Sequence, residues 1–529
     1  MIAMIGLLAL AIQQPGVSAE AGVFGEGYRI DGRPSRRPAQ SLRAYANSSF
    51  SWLGMQVGAS LLWSTENDFT AQSLNRFYLN PRWSWGEVHL GDHVPAISRF
   101  TASAVRVRGA GLTLRPGKFR FAASGGRAQD ATDLSVFDAA PQRMLFAGLM
   151  GFGDPAGGTF VEISALRSAD DASGTDTLSA PPQENLVAAL AAGLRKGWLG
   201  LKAEVSGSLF SRDIRAGELD SLATPGFTES LFTPRLSSRV DRAWSIEARA
   251  TTRVGQLGLQ VEEIGPGFTT LGNPYLTNDK REVRAFGMWK GARGRVIVSP
   301  TIGLRRDNLA SDKRATTNRR TGSLALTVVS GTWLVSSVSV VWNGLTRDPA
   351  PLPPGSPDPG LVDTFRLKNV ARSLAWIEQA RFRSAGGTMH TLGVTVTSQQ
   401  VSDDSPRFDA ALDATSTSLG FEYGVTLAER YTIALRPGYQ WYTSATQDDG
   451  FASLALTLSR RAAKSPCTAT LGTTFTQVGD GHQWRQDATA SYRLTPRDQA
   501  ALSFRHTTLS GVASPFNETT ASLRVTHRF

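Results

Sequence analysis

From about residue 40 to its C-terminus the chain alternates apolar and polar positions with a period of two, the pattern of strands with one face in an apolar medium and the other in water. In LGMQVGASLLW, Leu53, Met55, Val57, Ala59, Leu61 and Trp63 share one face, with Gln56, Gly58 and Ser60 on the other. GLKAEVSGSL sets Leu201, Ala203, Val205 and Leu209 against Lys202, Glu204, Ser206 and Ser208, and AWSIEARAT sets Trp244, Ile246, Ala248 and Ala250 against Ser245, Glu247 and Arg249. Cys467, the only cysteine, opens another such run, CTATLGTTF, where a small thiol packs as an apolar residue.

The connections predicted between these strands alternate in length. Short turns fall at RPGK near 115, DPAGG near 154, RKGW near 195, RVGQ near 253, KGARG near 290, VSGT near 330, SAGG near 384, LAER near 427 and TPRD near 495. Long loops lie between them, at residues 126–141, 167–184, 211–240, 264–280, 305–319, 344–364 and 400–414. The spacing predicts an all-β, closed antiparallel transmembrane barrel of about 26 strands (24–26), with short periplasmic turns and long extracellular loops. A strand at AGVFGEGYRI gives the larger number; without it the number is 24. Closure is required because a sheet in lipid must satisfy every backbone N–H and C=O internally. Trp63, Trp198, Trp289, Trp333, Trp376, Tyr431, Trp441, Trp484 and Tyr492 stand near strand ends, where amphipathic rings form headgroup-level girdles.

Hydrophobic residues make up 41% of the chain, yet nothing after the N-terminus offers the long apolar run of a membrane-spanning helix. Residues 1–19 read as a signal peptide: IGLLALAI is the apolar core, Pro15 and Gly16 end it, and Val17-Ser18-Ala19 precedes a cleavage point, with Ala21 as an alternative. No basic residue precedes Arg29, so the usual positive start is missing. Residues 20–39 form a short N-terminal segment containing the extra strand, and residues 40–529 form the barrel.

The last segment, ASLRVTHRF, ends in Phe529 with Val525, Leu523 and Ala521 on the same face. It resembles the C-terminal signal of Gram-negative outer-membrane β-barrel proteins of the porin-like kind, though His527 stands where that signal often carries an aromatic residue. The resemblance implies residence in the cell outer membrane, contact with its lipid and lipopolysaccharide, and recognition of Leu523, Val525 and Phe529 by the barrel assembly machinery. A local stretch, VHLGDHVPAISRFTASAVRVRGAGLTL, is similar to a strand pair of fimbrial usher barrels, but the usher's periplasmic and plug domains have no counterpart here. Local barrel geometry accounts for it, with Gly91-Asp92 in a turn and Gly109 kinking a long strand.

The net charge of +11 adds a lumen to this picture. With each strand's apolar side toward lipid, Arg106, Arg108, Arg120, Lys202, Arg249, Arg284, Arg295, Arg381, Arg383, Arg485, Arg493, Arg505 and Arg524 point inward. The inward acids are fewer: Glu87, Glu162, Glu204, Glu247, Glu262, Glu422 and Asp487. Two readings compete, cross-strand pairing along a wet wall and a positive lumen that favours anions. For the second, Arg106, Arg108, Arg249, Arg284, Arg381, Arg383, Arg485 and Arg505 are the pore-lining candidates. The distributed charge does not point to nucleic acid.

No cofactor or metal is expected: the six histidines lack ligand spacing, and the acidic loop stretches at 169–176, 402–409 and 447–450 lack that of a calcium loop. An enzyme is not expected either, although a Ser–His pair across neighbouring strands, as in the much smaller outer-membrane phospholipases, stays open. The expected function is a porin-like channel for small polar solutes, favouring anions, narrowed by a loop. The 211–240 loop, with Phe227, Leu231 and Phe232, is the candidate constriction. The alternatives are an export barrel of the usher or lipopolysaccharide-transport class and a structural or surface-binding barrel.

Overall fold

The computed structural model describes residues 18–66, 74–131, 141–172, 181–219, 231–350, 366–405, 413–460 and 465–529. Most of the signal-peptide reading, Phe227, and parts of the acidic and proline-rich loops lie outside the described residues.

The chain forms strands throughout. They begin with β1 (Ser18–Asp31), β2 (Gln40–Trp52), β3 (Met55–Ser64), β4 (Arg76–Trp83), β5 (Gly86–His93), β6 (Val107–Leu114) and β7 (Phe119–Gln129). Next come β8 (Arg143–Asp154), β9 (Thr159–Asp170), β10 (Glu184–Lys196), β11 (Leu199–Ser211), β12 (Ser238–Thr252), β13 (Gly255–Ile264) and β14 (Lys280–Gly291). The third group is β15 (Val296–Arg306), β16 (Ala315–Ser330), β17 (Leu334–Pro349), β18 (Leu367–Arg383), β19 (Met389–Asp403) and β20 (Ala414–Leu427). The last is β21 (Tyr431–Ser444), β22 (Asp448–Arg460), β23 (Cys467–Val478), β24 (Gly481–Arg493), β25 (Asp498–Ser510) and β26 (Phe516–Arg528).

Each strand pairs antiparallel with its neighbours in sequence, and β26 returns to β1, from Glu20↔Arg528 to Asp31↔Asn517. The result is one closed sheet of 26 strands. The strand at AGVFGEGYRI is present, and it supplies half of the closing seam. The short turns read from the sequence all lie at the end that carries both strand termini. Leu53 is a correction: it occupies no strand face but opens a two-residue turn with Gly54, at φ 50° and 75°, the left-handed pair that matches hairpin twist. The alternation of connection lengths also fades. The connections after β21 and β23, at the loop end, span only residues 445–447 and 479–480, and Asp448 of the expected acidic tip already belongs to β22.

Strand parity sends large apolar groups outward. Phe146, Met150, Ile163, Leu190, Leu201, Ile246, Leu259, Leu374, Leu471 and Leu502 are all exposed on the outer wall, which in water would be an untenable apolar surface. All nine predicted girdle aromatics are exposed as well. Trp198, Trp289, Trp333, Tyr431 and Tyr492 border turns at the terminus end, and Trp63, Trp441 and Trp484 border the loop end. Closure, an apolar outer wall and two girdles make the protein a transmembrane β-barrel of the outer membrane.

The seam depends on β26. Leu523 and Val525 face outward opposite Gly25 and Val23, and the Phe529 amide donates to the Ala19 carbonyl at 2.9 Å. Removing Phe529 deletes that last bond and an outward ring that packs edge-on against His527, 4.3 Å between centroids. The expected outcome is less heat-modifiable, folded protein in the membrane fraction on a gel. Undiminished assembly of the truncated chain would show that the last residue plays no part in closure.

Candidate functional site

Two strands depart from simple alternation. RMLFAGLMGFG in β8 and NLVAALAAGL in β10 are apolar on both faces, as strands are when each side meets an apolar layer. On the inward side Leu145, Ala147 and Leu149 of β8, Leu166 of β9, Val187 of β10, Ala243 of β12 and Ile264 of β13 are buried. What covers them is a pair of loops folded into the lumen: residues 94–106, between β5 and β6, and 265–279, between β13 and β14. Ile97, Phe100, Ala102 and Phe268 join the core from these loops, and the Phe100 and Phe268 rings meet edge to face at 5.9 Å.

The loops start eight strands apart and reach each other inside the barrel. The Ser103 and Ala104 amides donate to the Gly272 carbonyl at 3.2 and 3.3 Å, Thr270 Oγ1 donates to the Thr101 carbonyl at 2.6 Å, and Asn273 Nδ2 to that of Arg99 at 3.0 Å. The wall holds them too. Fully buried Asn185 of β10 accepts from the Leu271 amide and donates to the Thr269 carbonyl, both at 3.0 Å. A Cβ on Gly272 would stand 2.3 Å from the Thr101 carbonyl oxygen and 2.4 Å from Leu166 Cδ1, so only glycine fits there. Charges clamp the ends: Glu262 of β13 takes Lys280 at 2.6 Å and also Arg99, while Ser98 donates to Glu204. Asp279 accepts the Leu309 and Asn308 amides at 2.8 and 3.1 Å and pairs with Lys313. Burial pushes the Asp279 carboxyl up, but these bonds outweigh it and hold it below the usual carboxylate value.

Beneath the insert, toward the terminus end, lies a cavity of about 660 Å³ lined by Arg120, Arg195, Lys202, Glu247 and Arg249, among others. The remaining sector, from β15 round to β26, is carpeted with small polar groups. Thr391, Thr395, Thr397 and Gln399 line β19 from end to end, Thr468, Thr470, Thr474 and Thr476 line β23, and inward hydroxyls bond across strands as Thr397–Ser418, Thr468–Ser491 and Ser503–Ser522. These inward groups are half-buried or exposed, and none of them is buried. Among the described residues the lumen therefore has a filled sector and an open one.

The predicted acids are all engaged. Glu87 pairs with Arg82, Glu162 with Arg120, Glu247 with Arg249, Glu422 with Arg436, and Asp487 with both Arg485 and Arg505 at 2.8 and 2.7 Å. Cross-strand and same-strand pairing thus takes up much of the inward charge. Arg284 donates instead to neutral Gln260, Arg319 to Asn343, and Arg524 lies over the Phe24 ring at 5.6 Å. Arg249 and Arg284 flank the Phe286 ring at 5.6 and 5.7 Å, within cation–π range. Arg381 and Arg383 reach the terminus-end rim, where Arg383 meets Glu429 at 3.3 Å.

Other expectations change. Arg106 belongs to an in-folded loop and Arg108 shares the parity of the exposed Ala110 and Leu112, so neither is an inward strand position. Both pair with Asp92. Gly91 sits inside β5 rather than in a turn. The described part of the 211–240 loop extends the β11–β12 hairpin through Leu219 to Pro234 and Leu236 to Gly217 backbone bonds, and Leu231 joins Phe146 and Leu186 around a concavity on the outer wall. Residues 220–230 of that loop lie outside the described residues; among the described residues the lumen is narrowed by the other two loops, whose sequence signal was the two-faced apolarity of β8 and β10. His93 Nε2 lies 2.8 Å from Ser124 Oγ, but both side chains are buried, and the pair ties β5 toward β7. Among the described residues no group of three or more potential metal ligands is found.

No protein-family model matches the chain, and no curated protein matches it. Among solved structures it is similar to the P pilus usher (PapC) translocation pore, at 10% identity and a TM-score of 0.28 over 97% of this chain and 99% of that one. It is similar to Pseudomonas aeruginosa OccK9 (OpdG) at 13% identity and TM-score 0.29, over 97% and 98%. A P pilus tip assembly intermediate of E. coli gives 11% and 0.46, over 96% of this chain and 60% of that one. The strand register carries the fold; these likenesses add nothing to it.

Replacing Phe268 with alanine removes a fully buried ring at a cost of about 3–5 kcal/mol to the packing of the insert. The expected result is a higher single-channel conductance with the barrel still heat-modifiable; equal conductance would place the insert outside the conducting path. Asp279 gives a pH test. Because its folded pKa is depressed, its contribution is present above the ordinary carboxylate value, about 3.9, and disappears as pH falls through the lower folded value. Asp279→Asn should conduct more than the native protein at pH 7, and the two should converge only in that acid range. A native channel that already matches the variant at neutral pH would show that Asp279 anchors nothing.

Proposed function

We propose that the protein is a passive outer-membrane channel for small polar solutes, narrowed by the packed insert and favouring anions. The observation that carries this reading is the open sector, whose hydroxyl- and amide-bearing side chains run from the loop end to the terminus end. Such a wall exchanges hydrogen bonds with a passing solute without holding it by charge. A circular ring of this many strands would be roughly 50 Å across, and two loops occupying one sector leave the rest of it water-filled.

The anion preference is supported by cations whose partners are neutral, Arg284, Arg319 and Arg524, and by the two arginines sharing Asp487. Screening limits their reach to about 10 Å at 0.1 M salt and about 3 Å at 1 M. The outer wall is expected to contact lipid and lipopolysaccharide.

Purified protein in a planar bilayer tests the reading. Ion conduction is expected without any partner, with a reversal potential on the anion side. Arg284→Gln combined with Arg485→Gln and Arg505→Gln should move that potential toward cations, more at low salt than at high. A silent bilayer would overturn the channel and favour an export barrel that needs a periplasmic partner. A native channel preferring cations would overturn the charge argument alone.

A further inference from the structure

Beneath the insert, one register row crosses β10, β11 and β12 as Arg195↔Gly200↔Arg249. Neighbouring strands stand about 4.8 Å apart, so two arginines flank a position that has no side chain. Apart from Gly200's own chain neighbours, the nearest atom to a Cβ placed there would be the Arg249 carbonyl oxygen, at 3.8 Å. The row therefore holds an open notch. Lys202 lies diagonal to Arg195 on the same face, through the pair Gly193↔Lys202, and completes a cradle of three cations. All three are exposed, and each shares its strand parity with an inward, buried residue: Ala191, Glu204 and Ala243.

The cradle forms one side of the cavity of about 660 Å³, and Ile97, Ser98 and Arg99 of the in-folded 94–106 loop line it as well. The carboxylates of this cavity are engaged elsewhere. Glu162 takes Arg120 at 2.6 Å, and the other terminal nitrogen of Arg120 holds the Ala96 carbonyl of the insert at 3.3 Å. Glu204 is buried and accepts from Ser98. Glu247 accepts from Arg249 Nη2 at 2.6 Å. Lys202 lies over the Phe160 ring, 5.9 Å from its centroid, and neither Lys202 nor Arg195 makes an ion pair among the described residues. The turns that join these strands at the terminus end, residues 155–158, 197–198 and 253–254, are all described and carry no acid.

We propose that Arg195, Lys202 and Arg249 bind one oxyanion group, the carboxylate or phosphate of a small solute, over Gly200 on the terminus side of the lumen. Guanidinium forks bond oxyanions through N–H donors at about 2.8 Å, and two forks on either side of an empty notch reach one group from both sides. The Lys202 ammonium adds a point charge. Arg249 keeps Glu247 through Nη2 and turns its remaining donors to the ligand. Assigning the anion to a solute in transit rests on the channel reading; the binding itself does not.

Titrating inorganic phosphate, and separately acetate, into the detergent-solubilised full chain at low salt should give calorimetric binding with Kd on the order of 1 mM or tighter for at least one of them. The tighter of the two names the oxyanion, and either supports the site. Gly200→Val fills the notch with a side chain that strands accept and leaves every charge in place, so it should weaken binding about tenfold or more. Gly200→Ala should weaken it less. Arg195→Gln with Lys202→Gln should also cost about tenfold, and this pair decides the matter if the valine variant does not fold, as heat-modifiable migration reports. No binding by the native protein, or undiminished binding by the double variant, overturns the site. Loss in the double variant with full binding by folded Gly200→Val also overturns it, because a diffuse positive lumen would then account for the attraction. Binding by a protein that is silent in a planar bilayer leaves the site standing and removes the channel.

Discussion

Everything in this barrel depends on the requirement that no backbone N–H or C=O face hydrocarbon unpaired. A sheet meets it only by closing, and here closure is the pairing of β26 with β1 along nearly their whole length. With the ladder continuous, side-chain direction is fixed by parity alone. A one-residue slip in any alternating strand would carry inward polar groups into lipid and outward leucines into water, so register is specified on both faces of those strands. The apolar exterior and the polar interior are thus two readings of one constraint.

The same constraint governs what can enter the lumen. A loop folded inward brings its own amides and carbonyls, and these need partners away from bulk water. The 94–106 and 265–279 loops satisfy much of that need with each other, through Gly272, Thr270 and Asn273, and with Asn185 on the wall. Their apolar side chains need a dry surface as well. That wall provides it where β8 and β10 give up alternation, apolar on both faces while β19 and β23 are not. Filling one sector and leaving the other wet is therefore written into strand composition.

Much of the barrel was legible beforehand because parity is a local property. The strand pattern, the short turns, the aromatic girdles and the inward placement of Glu87, Glu162, Glu204, Glu247, Glu262, Glu422 and Asp487 follow from period two. What was not legible is how loops travel. Residues 211–240 were the longest candidate, but length says nothing about whether a surface waits inside to receive a loop. The shorter 265–279 loop turns inward because Leu166, Val187 and Ile264 offer that surface. Gly91 read as a turn residue since glycine has the same conformational freedom in a turn and in a bent strand. Arg106 and Arg108 were misplaced because Val107, an apolar residue read as lipid-facing, is buried inward in the insert core, and Arg106 precedes the strand.

Charge shows the same division between local and assembled information. The sequence carries an excess of +11, yet a sum over residues does not describe a field, since each inward acid named above meets a partner in the folded wall. What survives pairing is uneven. In the open sector it consists of single arginines laid against amides or aromatic rings, spaced so that screening separates them. At the loop end of β5 to β7, where Gly91, Gly109 and Gly126 lie side by side, the register brings Arg108 and Arg127 opposite each other. Two guanidinium groups so placed repel unless acids or a bound anion lie between them. Asp92 and Asp130 take that place, pairing with Arg108 and Arg127, so the fold answers locally a repulsion that no sum of charges along the chain could show.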